Sequence, residues 1–516
     1  MSRKEGGKVF GSGSRAPVTI TLLVRNPNAV ESGKIYYHDI GDYLDRESKL
    51  SIVHAAIHGE PFEWDMLQPD RHGDWLEQRD DSWYRFAPIG IEKLKNLKGI
   101  FEIWSSGLKT ERDVWAWNYS PDALEKNIQK TIRFYEKERI RRAESCDEKP
   151  INDFVIYDET QIKWNRELLH DCNKNRVISY SNANIVEGMY RPFCKQRLYY
   201  ASELNGMTYQ IPKLFPNGKQ NVVIALSGGK GLSALIINCI PDLNNMSGGC
   251  QCFPLYWYED AEENRTIRHE AISDEALDVF RKVYPGGLIG RLVKDGGPTI
   301  QKEDIFYYIY GILHSEEYRS RYEANLKKEL PRIPFAEHFD LFYYAGKALA
   351  DIHLNYESAA LYPLTMEWNR SPDNGQLLLE SFYNDPGPVE KLRWGKKRNP
   401  ETGKMEADKS VLVYNERLTF RGIPEIAHRY VVNGRSPLEW MIDRYQVKTD
   451  PASGIVNDPN TYSDDPLYIV NLVRRLVTVS VETMKIVDSL TSISEKDCYD
   501  DFPYEWKMHE QAPGTN

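Results

Sequence analysis

Thirteen residues, GMYRPFCKQRLYY (Gly188 to Tyr200), set two arginines and a lysine among four aromatic rings. Cations interleaved with flat rings suit phosphate neutralisation and base stacking. The same pattern also describes an aromatic core strand with a wet edge. Strand alternation separates Arg191, Phe193, Lys195 and Arg197 from Tyr190, Cys194, Gln196 and Leu198, although Pro192 confines such a strand to an edge or a bulge. From Gly188 to Ile240 six cations, Arg191, Lys195, Arg197, Lys213, Lys219 and Lys230, face Glu203 alone, a local +5 in a chain of formal net charge −10. Such a distribution fits a protein that meets phosphate through one face; chance clustering on a solvated strand edge fits it equally.

Other constellations carry less. SGGKGLS (Ser227 to Ser233) is a glycine turn whose amides or Lys230 could touch a phosphate, but it does not satisfy G-x-x-x-x-G-K-[ST]. No two prolines adjoin, so the N/D/S-P-P-Y/F/W tetrapeptide of amino-methyltransferases is missing. A strand-linked G-x-G-x-x-G, a G-x-S-x-G elbow and H-E-x-x-H are missing too. His54 and His58 stand i, i+4 on an expected helix without an acidic third ligand, and the Cys250/Cys252 pair has no second Cys/His pair at zinc spacing. Both read as structural. The residues alone present no catalytic set and no metal set.

A scaffold of mixed α+β type must position these groups. At 516 residues the chain suggests two to four domains. Its composition, 41% hydrophobic and 28% charged with 32 Tyr and 12 Trp, is that of a folded, soluble, sheet-rich protein with large contact surfaces. No apolar run reaches the ~20 residues that cross a bilayer, no signal-peptide core is visible, and seven scattered cysteines suit a cytoplasmic location. The segment KVFGSGSRAPVTITLLVRNP reads as strands around the run Val18 to Val24 and begins abruptly, as though a larger sheet had been entered midway. A charged amphipathic helix is expected from Pro121 to Arg142, capped by Ser120 with Pro121 at its first position. Residues 150 to 300 read as short strands with Gly/Pro turns, and helices dominate afterwards. FYYIYGILHS (Phe306 to Ser315) is core packing at helical spacing, and Ser436, Pro437 and Glu439 form a capping box. NPETGKMEADKSVLVYN reads as a hairpin with a polar tip; KLRWGKKRNPETGK (Lys391 to Lys404) reads as a basic loop whose tryptophan could insert beside a flipped base, or as a solvated tip.

The ordered series GLKTERDVWAWNYS, YRPFCKQRLYY, YQIPKLFP, CQCFPLYWYE, YYIYGILHSEEYR, RIPF and VVNGRSPLEWMIDRYQVKTDPASGIVNDPN resembles the C-terminal part of Type ISP restriction–modification enzymes. Asn433 to Asn460 is the most diagnostic stretch. The resemblance covers nearly the whole chain and implies residues 1–50 as a methyltransferase-sheet remnant and the rest as the specificity region, which the shift toward helical patterning divides into 51–300, an α/β target-recognition core, and 301–516, a mainly helical specificity subdomain. It implies double-stranded DNA as partner. Direct contacts are then expected from Lys109, Thr110 and Arg112 in the loop after Gly107, from Arg191, Lys195 and Arg197, from Lys230, and from Arg435, with Tyr190, Phe193 and Tyr199 in the core. Catalytic motifs are expected elsewhere, so the chain on its own is expected not to be an enzyme. S-adenosylmethionine, ATP and Mg belong to the full-length enzymes, and none is expected in this chain. A separately encoded methyltransferase–helicase chain is one expected partner, with this chain completing an adenine-N6 methyltransferase. An inactive gene fragment is the remaining reading.

Overall fold

The computed structural model describes residues 19–28, 30, 33–42, 44–58, 63–91, 99–216, 219–228, 231–261, 265–291, 297–368, 386–400, 403–493, 495–496, 499–503 and 506. The chain divides into two compact units, residues 1–79 with 514–516, and residues 80–513. No helix among the described residues is long and apolar enough to cross a membrane.

In the first unit, strands Ile35–Tyr37 and Asp65–Leu67 pair antiparallel. Helix Arg46–Ile57 begins where the Asp45 carboxylate accepts the Ser48 amide at 2.8 Å. His54 in its last turn and His58, the residue that caps it, have their Nε2 atoms 3.1 Å apart. The run expected as a strand from Val18 to Val24 starts outside the described residues; its described part, 19–24, is irregular, with Leu22 86% exposed. An apolar β-branched run becomes a strand only when a neighbour takes its backbone hydrogen bonds, and residues 19–24 pair with no strand among the described residues.

The second unit is built around a four-stranded sheet in the order Ser105–Ser106, Gln251–Pro254, Val223–Leu226, Ala234–Ile237. Alternate residues of its central strands enter two different cores. Ile224, Leu226, Ala234, Ile236 and Phe253 face one, with helices Lys302–Ile312 and Phe339–Leu354. Val223, Ala225, Leu235, Ile237 and Cys252 face the other, with the long helix Tyr468–Ser489. Burial on both faces is why VVIAL and ALII read as unbroken apolar runs. Because this sheet is a shared wall, the packing shows no division near residue 300, and the second half is not only helical. A second four-stranded sheet, Thr365–Trp368, Leu418–Arg421, Met405–Val413, Arg393–Arg398, lies within it.

A third sheet carries the basic, aromatic stretch. Strands Ile185–Arg191 and Cys194–Tyr199 form a hairpin flanked by Trp117–Asn118 on one side and, in parallel, by Ile240–Pro241 on the other. Gly188 is required there, since a Cβ would lie 2.7 Å from the Trp117 ring and 2.9 Å from the Ile240 carbonyl oxygen. Helix Pro121–Glu144 starts at Ser120, whose hydroxyl accepts the Ala123 amide at 3.2 Å, and packs Leu124, Ile128, Ile132 and Tyr135 against Leu168, Cys172 and Tyr199.

Candidate nucleic-acid interface

The loop after Gly107 is held tightly. Leu108 bridges Asp242 and Lys109 bridges Met207, and a Cβ at Gly107 would come 2.7 Å from the Asp242 carbonyl oxygen. Thr110 is buried and its hydroxyl donates to Asp113. Arg112 is only 2% exposed; its Nε and Nη1 have no hydrogen-bond partner among the described residues, and burial pulls its pKa down to about 10. Lys109 alone of the three reaches solvent, and it is paired with Glu111 at 2.7 Å.

The hairpin cations turn to carboxylates of this same chain. Pro192 and Phe193, the latter with φ 57°, make the turn, and a bulge between Met189 and Arg191 breaks the simple alternation expected from the sequence. Arg191 is buried, donates to Asp242 at 2.7 Å, lies 3.8 Å from Asp113 and sits 4.0 Å over the Tyr190 ring. Burial, and then the neighbouring Asp113, push the Asp242 carboxyl up to about 7 against the pull of Arg191. Lys195 is buried between Glu357 (2.6 Å) and Glu187 (3.0 Å); burial acts to lower its pKa, but these carboxylates outweigh burial and hold it above the usual lysine range. Arg197 lies 3.8 Å from Glu187 and 5.0 Å over Tyr462. Phe193 and Tyr199 are in the core as expected, whereas Tyr190 is half-buried against Trp117. The expectation of outward-facing hairpin cations is therefore corrected. Asp113, Asp242, Glu187 and Glu357 neutralise them, and the stretch ties three sequence-distant segments together.

Arg435 is exposed, paired with Asp443 at 2.7 Å and 5.0 Å over the Trp440 ring. Asn433, with φ 56°, accepts the Ser247 amide through Oδ1 and donates its own amide to Ser233 Oγ, which pins the turn Ser227–Ser233. Lys230 in that turn lies outside the described residues. Cys250 and Cys252 are buried with their Sγ atoms 3.6 Å apart. Among the described residues no three His, Cys, Asp or Glu are placed to hold a metal ion.

Free positive charge lies where a loop was expected. Residues 393–398 form an edge strand, paired on one side only with Met405–Val413. Arg393, Lys396, Lys397 and Arg398 are all exposed; Lys397 lies 3.8 Å from Glu406, and none of the other three has an ion pair among the described residues. Trp394 is half-buried and edge-on to His428 at 5.4 Å. The composition signal was the unbroken RWGKKR run; the bulge at Trp394/Gly395 that turns it into a strand edge has no short-range signature.

Residues 99–472 match the family model described as the Type ISP C-terminal specificity domain. Comparison with curated proteins finds no match. Among solved structures, the chain is similar to a nuclease-deletion mutant of the Type ISP restriction–modification enzyme LlaGI in complex with a DNA substrate mimic, with 34% identity over 96% of this chain and 36% of that one, TM-score 0.77. It is also similar to the ATP-dependent Type ISP restriction–modification enzyme LlaBIII bound to DNA, with 31% identity, 92% and 28% coverage and TM-score 0.74. A third similar structure is a DrdV–DNA complex, with 29% identity, 89% and 43% coverage and TM-score 0.71. The chain thus spans less than half the length of each.

Proposed function

Because the chain belongs to the Type ISP C-terminal specificity-domain family, we propose that it reads double-stranded DNA sequence as the specificity module of a Type ISP-like restriction–modification system. The observation that carries this reading is the match over 96% of the chain to an enzyme solved with a DNA substrate mimic. The exposed Arg393, Lys396 and Arg398, without an ion pair among the described residues, then neutralise phosphates, with Lys109, Arg435 and Lys230 as supplementary contacts. Thr110, Arg112, Arg191, Lys195 and Arg197 hold the scaffold beneath. Phosphate contacts fix register, and base-edge contacts in the major groove carry sequence information. Affinity and specificity are therefore separable in an assay. S-adenosylmethionine, ATP and Mg are assigned in this reading to other domains of the family's enzymes.

The test is selection from a pool of random duplexes by the purified chain, at low and moderate salt. One asymmetric motif should be enriched by the unaltered chain. A variant combining Arg393→Ala, Lys396→Ala and Arg398→Ala should bind more weakly on every sequence while keeping that motif. Enrichment of no motif by the unaltered chain would remove the specificity role.

A further inference from the structure

Helix Pro121–Glu144 carries a second, separate concentration of positive charge. Lys126, Lys130, Arg133 and Lys137 follow one another at spacings of four, three and four residues, which stacks them along one face of an α-helix. Lys126, Arg133 and Lys137 are exposed and Lys130 is half-exposed. None of the four has an ion pair among the described residues. Lys130 acts at a distance on Asp158, whose carboxyl is held low chiefly by Thr160. Three of the five acids of the helix are engaged elsewhere, while Asp122 in the first turn and Glu144 at the last residue flank the row. Glu125 accepts from Gln129. Glu136 holds Arg139 and the Ile178 amide. Glu138, fully buried, pairs with Arg141 and accepts the Ile156 amide.

This sorting leaves three pairs of like charges at i, i+3 or i, i+4, an arrangement that repels itself in isolation. It does so in a chain whose net charge is −10, so generic solvation would not single out this face for uncompensated cations. The helix is a rigid platform, since its opposite face is buried against Leu168, Cys172 and Tyr199. From Lys126 to Lys137 it runs about 16 Å, over which one strand of B-DNA presents about five phosphates. Ile140 is the only strongly apolar exposed residue in the described part of that face, unlike the apolar stripe of a helix that lies on a membrane.

We propose that Lys126, Lys130, Arg133 and Lys137 form a phosphate-contacting face that lies along the backbone of duplex DNA, additional to the strand edge at Arg393–Arg398. The inference rests on the DNA-reading role above and adds a further backbone-contacting surface to it. The helix face contributes affinity and salt sensitivity, and it carries no sequence information.

The test is the salt dependence of binding by the full chain to a duplex from the selected pool, for the unaltered protein and for a variant combining Lys126→Gln, Lys130→Gln, Arg133→Gln and Lys137→Gln. Glutamine keeps helix propensity, and unchanged circular dichroism confirms the fold. Each lost phosphate contact removes about 0.9 from the log–log salt slope, so losing four should make the slope shallower by about 3.6. The selected motif should be the same. Arg133→Lys alone should keep the original slope. An unchanged slope and affinity in the fourfold variant, with motif-selective binding by the unaltered chain, would overturn the helix face and leave the function standing. Absence of any duplex binding by the unaltered chain would overturn the function, and the helix face with it.

Discussion

Replacing Arg191 by alanine strands the Asp242 carboxylate, 1% exposed, beside Asp113 with no guanidinium to hold it. Removing one partner of a buried pair costs about 3–5 kcal/mol, so urea unfolding of Arg191→Ala should show a loss of about 3 kcal/mol or more. Arg393→Ala, on an exposed edge, should stay within about 0.5 kcal/mol and act on DNA affinity instead. A second residue-scale expectation concerns acid. His353 is buried between the Tyr310 hydroxyl (2.6 Å) and Thr483 (2.8 Å), and burial pushes it from 6.5 down to about 3; burial lowers His314 as well. Both stay neutral in the fold while the unfolded chain takes up protons below about pH 6.5. Stability is therefore full above that pH and falls as pH drops toward 3. His353 alone should remove about 2 kcal/mol by pH 5, visible as a lower urea midpoint at pH 5 than at pH 7.5 and reduced in His353→Gln. At this scale the sequence misleads through its window. The count of +5 between Gly188 and Ile240 stops one residue short of Glu187 and two short of Asp242, and those are the carboxylates that take up Lys195 and Arg191. Glu357 lies 162 residues away from Lys195, beyond any local reading.

Between helices Lys302–Ile312 and Phe339–Leu354 the backbones touch. A Cβ at Gly311 would lie 2.1 Å from the Phe342 carbonyl oxygen and one at Gly346 would lie 1.9 Å from the Tyr307 carbonyl oxygen. Gly346→Ala must push the helices apart, and overpacking of this kind costs about 1–3 kcal/mol; a clear fall in the thermal midpoint is expected. Ser436→Ala removes the cap that accepts the Glu439 amide and should cost about 1 kcal/mol, with DNA selection intact. Caps were legible because their signal is local: Ser120 with Pro121, and Ser436 with Pro437 and Glu439, start helices where the sequence places them. Of the hairpin expected from NPETGKMEADKSVLVYN only the strand Met405–Val413 lies in that segment, and its partner strand, Arg393–Arg398, precedes it. The fate of the KLRWGKKR segment was not legible, because its role as an edge strand depends on partners supplied by the rest of its sheet.

Across residues 80–513 the shared wall of Val223–Leu226 and Ala234–Ile237 couples the two main cores. A fragment of residues 301–516 should therefore fail to unfold cooperatively, whereas residues 80–513 should show one main transition; calorimetry of the two fragments separates these outcomes. Family membership was legible because long motifs persist in order along the chain, and order survives without knowledge of packing. The boundary near residue 300 was drawn from a shift toward helical patterning, which says nothing of which elements share a core. The most direct test of the whole account is a fluorescence-anisotropy titration of the chain with its selected duplex and with a scrambled duplex of the same composition, at ~0.15 M salt. Tighter binding of the selected duplex by about 10³-fold or more is the predicted result. Equal affinity for both would contradict sequence reading and leave only attraction between cations and phosphate.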